Sequence, residues 1–257
     1  MTVPDIRLVP IATGGGGIPF LLGPSLGTRV ARVWDQARPY LADRHPLFGW
    51  DLPGHGVSPA ATEPFTVDEV AEAVLRAADD VGLGRFAVAG ISLGGLVSLA
   101  LALRAPERVV STTMICSLPR LGTAEGWAER AASVRASGTP SLVQGSAQRW
   151  FAPGFIDASP TVASPLLSDL MDIDDESYAR CNEALGAADY WDRVRDLAMP
   201  LTVIAGELDP VLTLADAEAT ASAARTGSFH VISGASHLAP VEKPAEVAAI
   251  LLSEVPL

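Results

Sequence analysis

The sequence has little of several features that mark other classes of protein. Only two of its 257 residues are cysteine, Cys116 and Cys181, which excludes a small domain held together by a network of disulfide bonds. Basic residues are also scarce, because 18 lysine and arginine residues stand against 30 aspartate and glutamate residues and give a net charge of -12. This charge repels nucleic acids and anionic membranes, so neither is expected as a partner.

Two further absences concern location. The N-terminus lacks the positively charged start and apolar stretch of a signal peptide, and no apolar run is long enough to span a bilayer. We therefore expect a cytoplasmic protein whose partner is a small molecule. The sequence leaves open whether the chain forms a homo-oligomer.

Strand-like and helix-like segments alternate along the chain, and 49% of the residues are hydrophobic. This pattern predicts one α/β domain with an insertion. Between residues 119 and 196 the strand-like runs disappear, while prolines, tryptophans and helical stretches appear. We interpret this segment as a helical lid inserted into a core formed by residues 1–118 and 197–257.

Short patterns predict individual elements of the core. Thr66 and Glu69 resemble a capping box that starts an amphipathic helix, which ends near Val81, and a C-terminal helix is expected from Pro244 onward. Apolar runs predict strands at Ile18–Leu22, Leu47–Trp50, Val109–Cys116, Leu201–Ala205 and Phe229–Ile232.

A serine lies between glycines at the junction of a strand and a helix. Phe86–Ala89 predicts the strand, Gly90–Gly95 contains a G-x-S-x-G pattern centred on Ser92, and a helix-like stretch follows. This arrangement is typical of a nucleophile elbow, in which crowding leaves no room for side chains at Gly90 and Gly94. The dipole of the following helix favours negative charge at this corner. Ser92 is therefore the candidate nucleophile.

Two partners for this serine follow downstream, in the order acid and then histidine. Asp209 follows a predicted strand and stands directly before Pro210, and His237 follows the last predicted strand. A serine hydroxyl needs an imidazole to remove its proton, and the imidazole needs a carboxylate to fix its tautomer. We therefore predict a catalytic triad of Ser92, Asp209 and His237. Glu207 is the alternative acid, and a turn or surface-loop role is the alternative for each of the three.

A loop after the first predicted strand is expected to complete an oxyanion hole. Within Gly23–Gly27 we assign the amide of Leu26 as one donor, and the amide of Leu93, directly after the nucleophile, as the other. The alternative is an ordinary strand-to-helix loop. The other glycine-rich tract, Gly14–Gly17, lacks the lysine of a phosphate-binding loop, so we interpret it as a flexible turn.

No metal or organic cofactor is expected. The acidic stretch Asp172–Glu176 lacks the glycine and the final glutamate of a calcium loop, so helix capping and solvation explain it better. Among the tryptophans of the predicted lid, Trp150 is the candidate for contact with a substrate. Packing is the alternative role for Trp150.

The elbow, the acid turn and the terminal histidine together resemble the α/β-hydrolase superfamily over nearly the whole chain. The resemblance implies a mostly parallel central sheet flanked by helices, with a helical lid. Further segments resemble the 3-oxoadipate enol-lactonases of the β-ketoadipate pathway: Pro24–Thr28, Gly54–Pro59, Pro106–Val109, Arg120–Thr123, Trp127 and Arg149–Pro153. The Ser-Leu-Gly-Thr loop is the most diagnostic of these, since most relatives carry His-Gly there.

This narrower resemblance implies hydrolysis of 3-oxoadipate enol-lactone through a serine acyl-enzyme, with Ser25 and Trp150 in the substrate site. The alternatives are a general carboxylesterase or a carbon-carbon bond hydrolase with the same triad, and a non-catalytic ligand-binding protein on this fold.

The sequence departs from that family at two places. Residues 1–17 match the opening strand pair poorly, and Pro53 stands where the family usually has an arginine. If that arginine seats the substrate carboxylate, another positive group must replace it here. Arg149 and Arg120, both in the predicted lid, are the candidates.

Overall fold

A seven-stranded sheet organises residues 2–255, the part of the chain that the computed structural model describes. The strand order is β1-β3-β2-β4-β5-β6-β7, with β1 antiparallel to β3 and every other neighbouring pair parallel. The predicted α/β fold with a mostly parallel sheet is thereby confirmed. The strands are β1 (Leu8–Ala12), β2 (Phe20–Gly23), β3 (Leu47–Trp50), β4 (Phe86–Ile91), β5 (Val109–Ile115), β6 (Leu201–Gly206) and β7 (Gly227–Ile232).

Helices connect the parallel strands and pack against the sheet. The α-helices are α1 (Val30–Val33), α2 (Arg38–Leu41), α3 (Val67–Asp80), α4 (Leu93–Arg104), α5 (Ala124–Ser137), α6 (Val143–Trp150), α7 (Phe155–Ala158), α8 (Pro160–Met171), α9 (Asp175–Ala187), α10 (Leu214–Ala223), α11 (Ala239–Glu242) and α12 (Pro244–Glu254). Within residues 2–255, none of these helices has the length and apolar character required to cross a bilayer.

The predicted helix boundaries follow from local chemistry. At the start of α3, the Glu69 amide donates to the Thr66 hydroxyl across 3.2 Å, while the Glu69 carboxylate accepts from the Thr66 amide across 2.8 Å. These two bonds form the predicted capping box, and α3 ends at Asp80, directly before Val81. The C-terminal helix α12 begins at Pro244, as predicted.

The N-terminal part of the sheet differs from the prediction. β2 begins at Phe20 rather than Ile18, because Pro19 has no N–H to donate to a neighbouring strand. The unpredicted strand β1 lies at the edge, where its residues are half-buried or exposed without strict alternation, so its sequence carries no period-two pattern. The tract Gly14–Gly17 joins β1 to β2.

The segment 119–196 lies between β5 and β6 and contains helices α5–α9 with no strand among its residues. Two 3-10 turns, Thr139–Leu142 and Trp191–Asp196, complete it. α5 packs along α9, and the Arg135 side chain on α5 forms ion pairs with Glu176 and Glu183 on α9. The segment predicted to form the lid is therefore helical, and we refer to residues 119–196 as the lid below.

The parallel core strands β2, β4, β6 and β7 end at one edge of the sheet, and the predicted site residues follow these ends. Ser92 follows β4, Asp209 follows β6 and His237 follows β7. This edge is where open α/β sheets bind their ligands.

Candidate active site

Ser92 occupies a strained corner between β4 and α4. Its backbone has φ 55° and ψ -119°, a conformation that residues with a side chain rarely adopt. Two hydrogen bonds hold it there, because the Ser92 amide donates to the Ile115 carbonyl at 2.9 Å and the Ser92 carbonyl accepts from the Ser117 hydroxyl at 2.7 Å. The elbow is thus fixed against the end of β5.

The two glycines of the motif are required by crowding. A Cβ atom at Gly90 would lie 2.1 Å from the Gly94 carbonyl oxygen, and a Cβ atom at Gly94 would lie 2.4 Å from the Pro24 carbonyl oxygen. Both distances are too short for any side chain. The steric argument made from the sequence therefore agrees with the backbone geometry.

Asp209 and His237 form a buried pair. The His237 Nδ1 atom donates to the Asp209 Oδ2 atom across 2.9 Å, which leaves Nε2 as the atom able to accept a proton from a nucleophile. The other Asp209 oxygen accepts from the Val211 amide at 2.8 Å. The alternative acid, Glu207, is exposed and instead accepts from Ser233 and Gly234.

No hydrogen bond joins the Ser92 hydroxyl to His237 among residues 2–255, and the end of β5 connects the serine to the Asp209–His237 pair. Such a bond is often long in a free enzyme and shortens in the complex with substrate. Ile115 and Ser117, which bond the Ser92 backbone, flank Cys116 in the chain. The Cys116 thiol in turn lies close to the Asp209–His237 pair.

Cys116 is a member of the site that the sequence analysis did not identify. Its sulfur and the ligand atoms of Asp209 and His237 all lie within 4.8 Å of one another, and its sulfur contacts the Ser236 carbonyl at 3.7 Å. Complete burial, together with the nearby Asp209 carboxylate, raises the pKa of this thiol well above its usual value. Cys116 is therefore a neutral thiol that packs beside the acid. Its position at the end of β5, one strand over from the elbow, is the signal that could have revealed it.

The predicted oxyanion donors lie on neighbouring segments. The Gly94 amide donates to the Pro24 carbonyl at 3.1 Å, which joins the start of α4 to the loop that contains Leu26. Within the described part of the chain, the amides of Leu26 and Leu93 donate to no protein acceptor. Two free N–H groups beside the nucleophile are what a developing oxyanion requires.

The His55 side chain connects the predicted oxyanion loop to Pro53 through two hydrogen bonds. Its Nδ1 atom lies 2.8 Å from the Pro53 carbonyl and donates to it, and its Nε2 atom accepts from the Gly27 amide at 3.2 Å. Burial lowers the pKa of His55 to about 4, so the ring is neutral at physiological pH. This role of the Gly-His-Gly segment was not foreseen from the sequence.

Aromatic side chains from the lid pack near Gly27 in the predicted oxyanion loop. A Cβ atom at Gly27 would lie 3.1 Å from Cζ2 of Trp150 and 3.4 Å from Cε2 of Tyr178. The Tyr178 ring also stacks on His55, with ring centroids 6.2 Å apart. Leu170 on α8 lies nearer still, with its Cδ1 atom 2.9 Å from the same Cβ position, so Leu170, Trp150 and Tyr178 all pack at the Gly27 side of the predicted oxyanion loop.

The end of α6 is tied to the segment that carries His237. The Trp150 carbonyl accepts from the Leu238 amide at 3.0 Å, and the Arg149 carbonyl accepts from the Ser236 hydroxyl at 2.9 Å. Glu242 strengthens this connection, since its two carboxylate oxygens accept from the amides of Ala152 in the lid and Ser236 in the core, each at 2.6 Å. Burial raises the pKa of Glu242.

The remaining predicted substrate residues lie in different surroundings. Ser25 is buried in a turn, where its carbonyl accepts from the Thr28 amide and hydroxyl. Arg149 is half-buried and donates to the Ser146 hydroxyl at 3.3 Å. Arg120, by contrast, pairs with Asp189 at 3.1 Å on the surface, so its charge is already compensated.

A largely apolar groove of about 620 Å³ lies beside the site. It runs between the end of α6 and the loops that carry the acid and the histidine, and Ser92 does not line it. Its walls include Phe151, Ile156, Leu208, Pro210 and Ser236.

Comparison with known proteins finds relatives that match most of the chain. A model of the alpha/beta hydrolase family matches residues 15–250. The chain is 34% identical over 245 residues to 3-oxoadipate enol-lactonase 2 of Acinetobacter baylyi, which covers 95% of this chain and 91% of that protein. It is 32% identical over 220 residues to 3-oxoadipate enol-lactonase 1 of the same organism, with coverages of 86% and 82%. The crystal structure of the enol-lactonase from Burkholderia xenovorans LB400 aligns with a TM-score of 0.89 at 27% identity, covering 97% of this chain and 95% of that chain.

Proposed function

The chain belongs to the alpha/beta hydrolase family, and from this premise we propose that it is a serine hydrolase that opens 3-oxoadipate enol-lactone to 3-oxoadipate. The observation that carries the proposal is the strained Ser92 at the start of α4, together with the buried hydrogen bond between Asp209 and His237. The two relatives that bear this activity in their names each match most of the chain, which supports the choice of substrate.

In the first step, His237 takes the proton of the Ser92 hydroxyl through Nε2 while the serine oxygen attacks the lactone carbonyl carbon. Asp209 holds the imidazole in the required tautomer and stabilises the cation that forms. The amides of Leu26 and Leu93 bind the tetrahedral oxyanion, and each such donor is worth about 3 kcal/mol.

In the second step, the bond between the carbonyl carbon and the ring oxygen breaks. The departing enol oxygen takes the proton from His237, and the enol then tautomerises to a ketone. His237 next removes a proton from water, and the resulting hydroxide attacks the acyl-enzyme. The carboxylate product leaves, and the proton returns to Ser92.

The substrate is an anion, whereas the chain has a net charge of -12. A local positive group in the pocket must therefore overcome the repulsion. Arg149, whose backbone bonds the Ser236 hydroxyl beside His237 and whose side chain lies in the lid, fits this role better than the ion-paired Arg120. Trp150 forms the adjacent wall. The proposal also places the protein in the cytoplasm, where a reducing environment suits two free, buried cysteines.

The decisive experiment is turnover of the enol-lactone by the purified full chain, compared with turnover of neutral short-chain esters. We expect the lactone to have the higher kcat/KM. Ser92→Ala should abolish lactone turnover, while Ser98→Ala, a buried serine further along α4 that bonds only the Gly94 carbonyl, should retain it. A higher kcat/KM for neutral esters would favour a general carboxylesterase. Turnover by Ser92→Ala equal to that of the native chain would refute the serine mechanism.

A further inference from the structure

The two edges of the sheet differ in how well they are protected. At one edge, β1 carries Pro10 in its middle, and a proline in an edge strand discourages the addition of a further strand. At the other edge, β7 contains no proline, lysine, arginine or acidic residue. Among the described strands its one neighbour is β6. An edge of this kind is a template for pairing with another strand.

Three residues of β7 direct their backbone groups away from β6. At the two ends of the strand, the carbonyls of Thr226 and Ile232 accept hydrogen bonds from the β6 side at 2.8 and 3.0 Å. Because successive residues of a strand point in opposite directions, the N–H and C=O groups of Gly227, Phe229 and Val231 face outward. Within residues 2–255 these groups have no backbone partner, and the Val231 side chain is 43% exposed.

The outward groups are spaced so that β7 can pair with a second copy of itself. In an antiparallel pair centred on Phe229, this residue faces Phe229 of the second copy, and Gly227 faces Val231 of the second copy. Each facing pair then exchanges two backbone hydrogen bonds. One twofold axis generates the whole arrangement. It also places the two half-buried Phe229 rings next to each other, which is a favourable cross-strand pair.

Charges beyond the ends of β7 complement each other in the same register. Continued past both ends of the strand, the register brings Arg225 of one copy to Ser233 of the second. The Ser233 hydroxyl donates to the Glu207 carboxylate at 2.7 Å, and this bond, with that from the Gly234 amide, lowers the pKa of Glu207. The twofold axis therefore places a guanidinium beside a carboxylate on each side of the interface.

Both of these charged groups are available for a partner. Arg225 and Glu207 are exposed, and neither forms an ion pair in the described part of the chain. Two copies of a chain with a net charge of -12 repel each other. Ion pairs across the interface oppose that repulsion and select the register.

We propose that the chain forms a homodimer by antiparallel pairing of β7 with β7 of a second copy, which joins the two seven-stranded sheets into one. This inference goes beyond the proposed function and does not depend on the substrate. The interface also borders the catalytic loops, because Glu207 lies two residues before Asp209 and Ser233 lies four residues before His237.

Sedimentation velocity of the purified full chain across the micromolar concentration range tests the proposal. We expect the native chain to be a dimer. Val231→Pro should be monomeric, since it removes an outward N–H and leaves the bonds to β6 intact. Val231→Thr is the matched control, because it retains both the N–H and a β-branched side chain, and it should remain a dimer. Thermal unfolding shows whether Val231→Pro is folded.

Exchange of charges provides a second test that leaves the backbone unchanged. Arg225→Glu and Glu207→Arg should each raise the dimer dissociation constant about tenfold, because each creates like-charge pairs on both sides of the axis. The double variant restores opposite charges and should recover the native constant. Arg85→Glu is the control, since it makes the same change in net charge at an exposed position before β4, three strands away from β7.

A monomeric native chain would overturn the proposal. So would a dimer whose dissociation constant is unchanged in the single charge variants, or equally raised in Arg85→Glu. Persistence of the dimer in folded Val231→Pro would place the interface elsewhere on the molecule.

Discussion

The imidazole of His55 accepts a hydrogen bond from the amide of Gly27, so a side chain outside the predicted triad determines the position of the loop that carries the Leu26 amide. The bond requires a neutral ring, because Nε2 must keep its lone pair while Nδ1 donates to the Pro53 carbonyl. The lowered pKa of His55, about 4, keeps the ring in that state.

This relationship predicts a specific pH dependence of stability. The unfolded chain has a histidine pKa near 6.5, so it binds more protons than the folded chain between about pH 6.5 and about pH 4. The contribution of neutral His55 to the free energy of unfolding is therefore complete above about pH 6.5 and is lost as the pH falls toward 4. At about pH 5 the loss amounts to roughly 2 kcal/mol.

Urea unfolding of the native chain and of His55→Gln at about pH 7 and about pH 5 measures this effect. The free energy of unfolding should differ less between the two pH values in His55→Gln than in the native chain. His230→Gln, which changes a half-buried histidine on β7, should keep the native difference. Equal differences in all three proteins would contradict a neutral, buried His55.

Asp209→Asn should lower kcat by roughly four orders of magnitude, because an amide cannot select the histidine tautomer that accepts the serine proton. Steady-state kinetics with the enol-lactone or an activated ester would measure the loss. Glu207→Gln is the matched control, since Glu207 bonds only Ser233 and Gly234 and should retain kcat within about threefold. The reverse result would make Glu207 the acid.

Glu242→Ala should weaken both folding and catalysis. The change leaves the amides of Ala152 and Ser236 without acceptors, and the expected loss in the free energy of unfolding is about 2 kcal/mol. Because Ser236 directly precedes His237, kcat should also fall. Chemical denaturation together with kinetics checks both effects, and the exposed Glu246→Ala on α12 serves as the control. Native stability in Glu242→Ala would mean that this connection between lid and core carries little energy.

Gly94→Ala should prevent formation of the elbow, because the added methyl group would overlap the Pro24 carbonyl oxygen. We expect an insoluble or strongly destabilised protein, judged by expression and thermal unfolding. Gly84→Ala provides the comparison: nothing lies within 4 Å of an added Cβ there, so stability should be unchanged or slightly higher. A stable and active Gly94→Ala protein would disagree with the crowding described here.

The elements predicted correctly are those that local constraints determine. β4 is buried along its whole length, as expected of a central parallel strand, and this produces the uninterrupted apolar run before the elbow. The glycines around Ser92 are required by contacts within a few residues and with one neighbouring loop. The edge strand β1 was missed, because its half-buried residues impose no regular alternation.

The sequence analysis did not identify some residues at the site, because their positions there result from contacts between segments that are far apart in the chain. Cys116 lies near Asp209 because β5 and β6 are neighbours in the sheet, and Tyr178 accepts a hydrogen bond from Arg130 because α5 packs along α9. The amino-acid pattern around each of these residues does not indicate such long-range contacts. The excess of acidic residues led to the prediction of a local cation, and the structure separates the two candidates, because Arg120 pairs with Asp189 whereas Arg149 forms no ion pair in the described residues.

Leu238 and Ser236, the two neighbours of His237 in the chain, each donate a hydrogen bond to the end of α6. A displacement of that end of the lid would therefore also displace His237, the predicted proton acceptor. Redesign of this enzyme for other substrates would therefore succeed more readily away from the end of α6 than at it. Changes at that end would disturb the rate at which any molecule is hydrolysed as well as the choice of molecule.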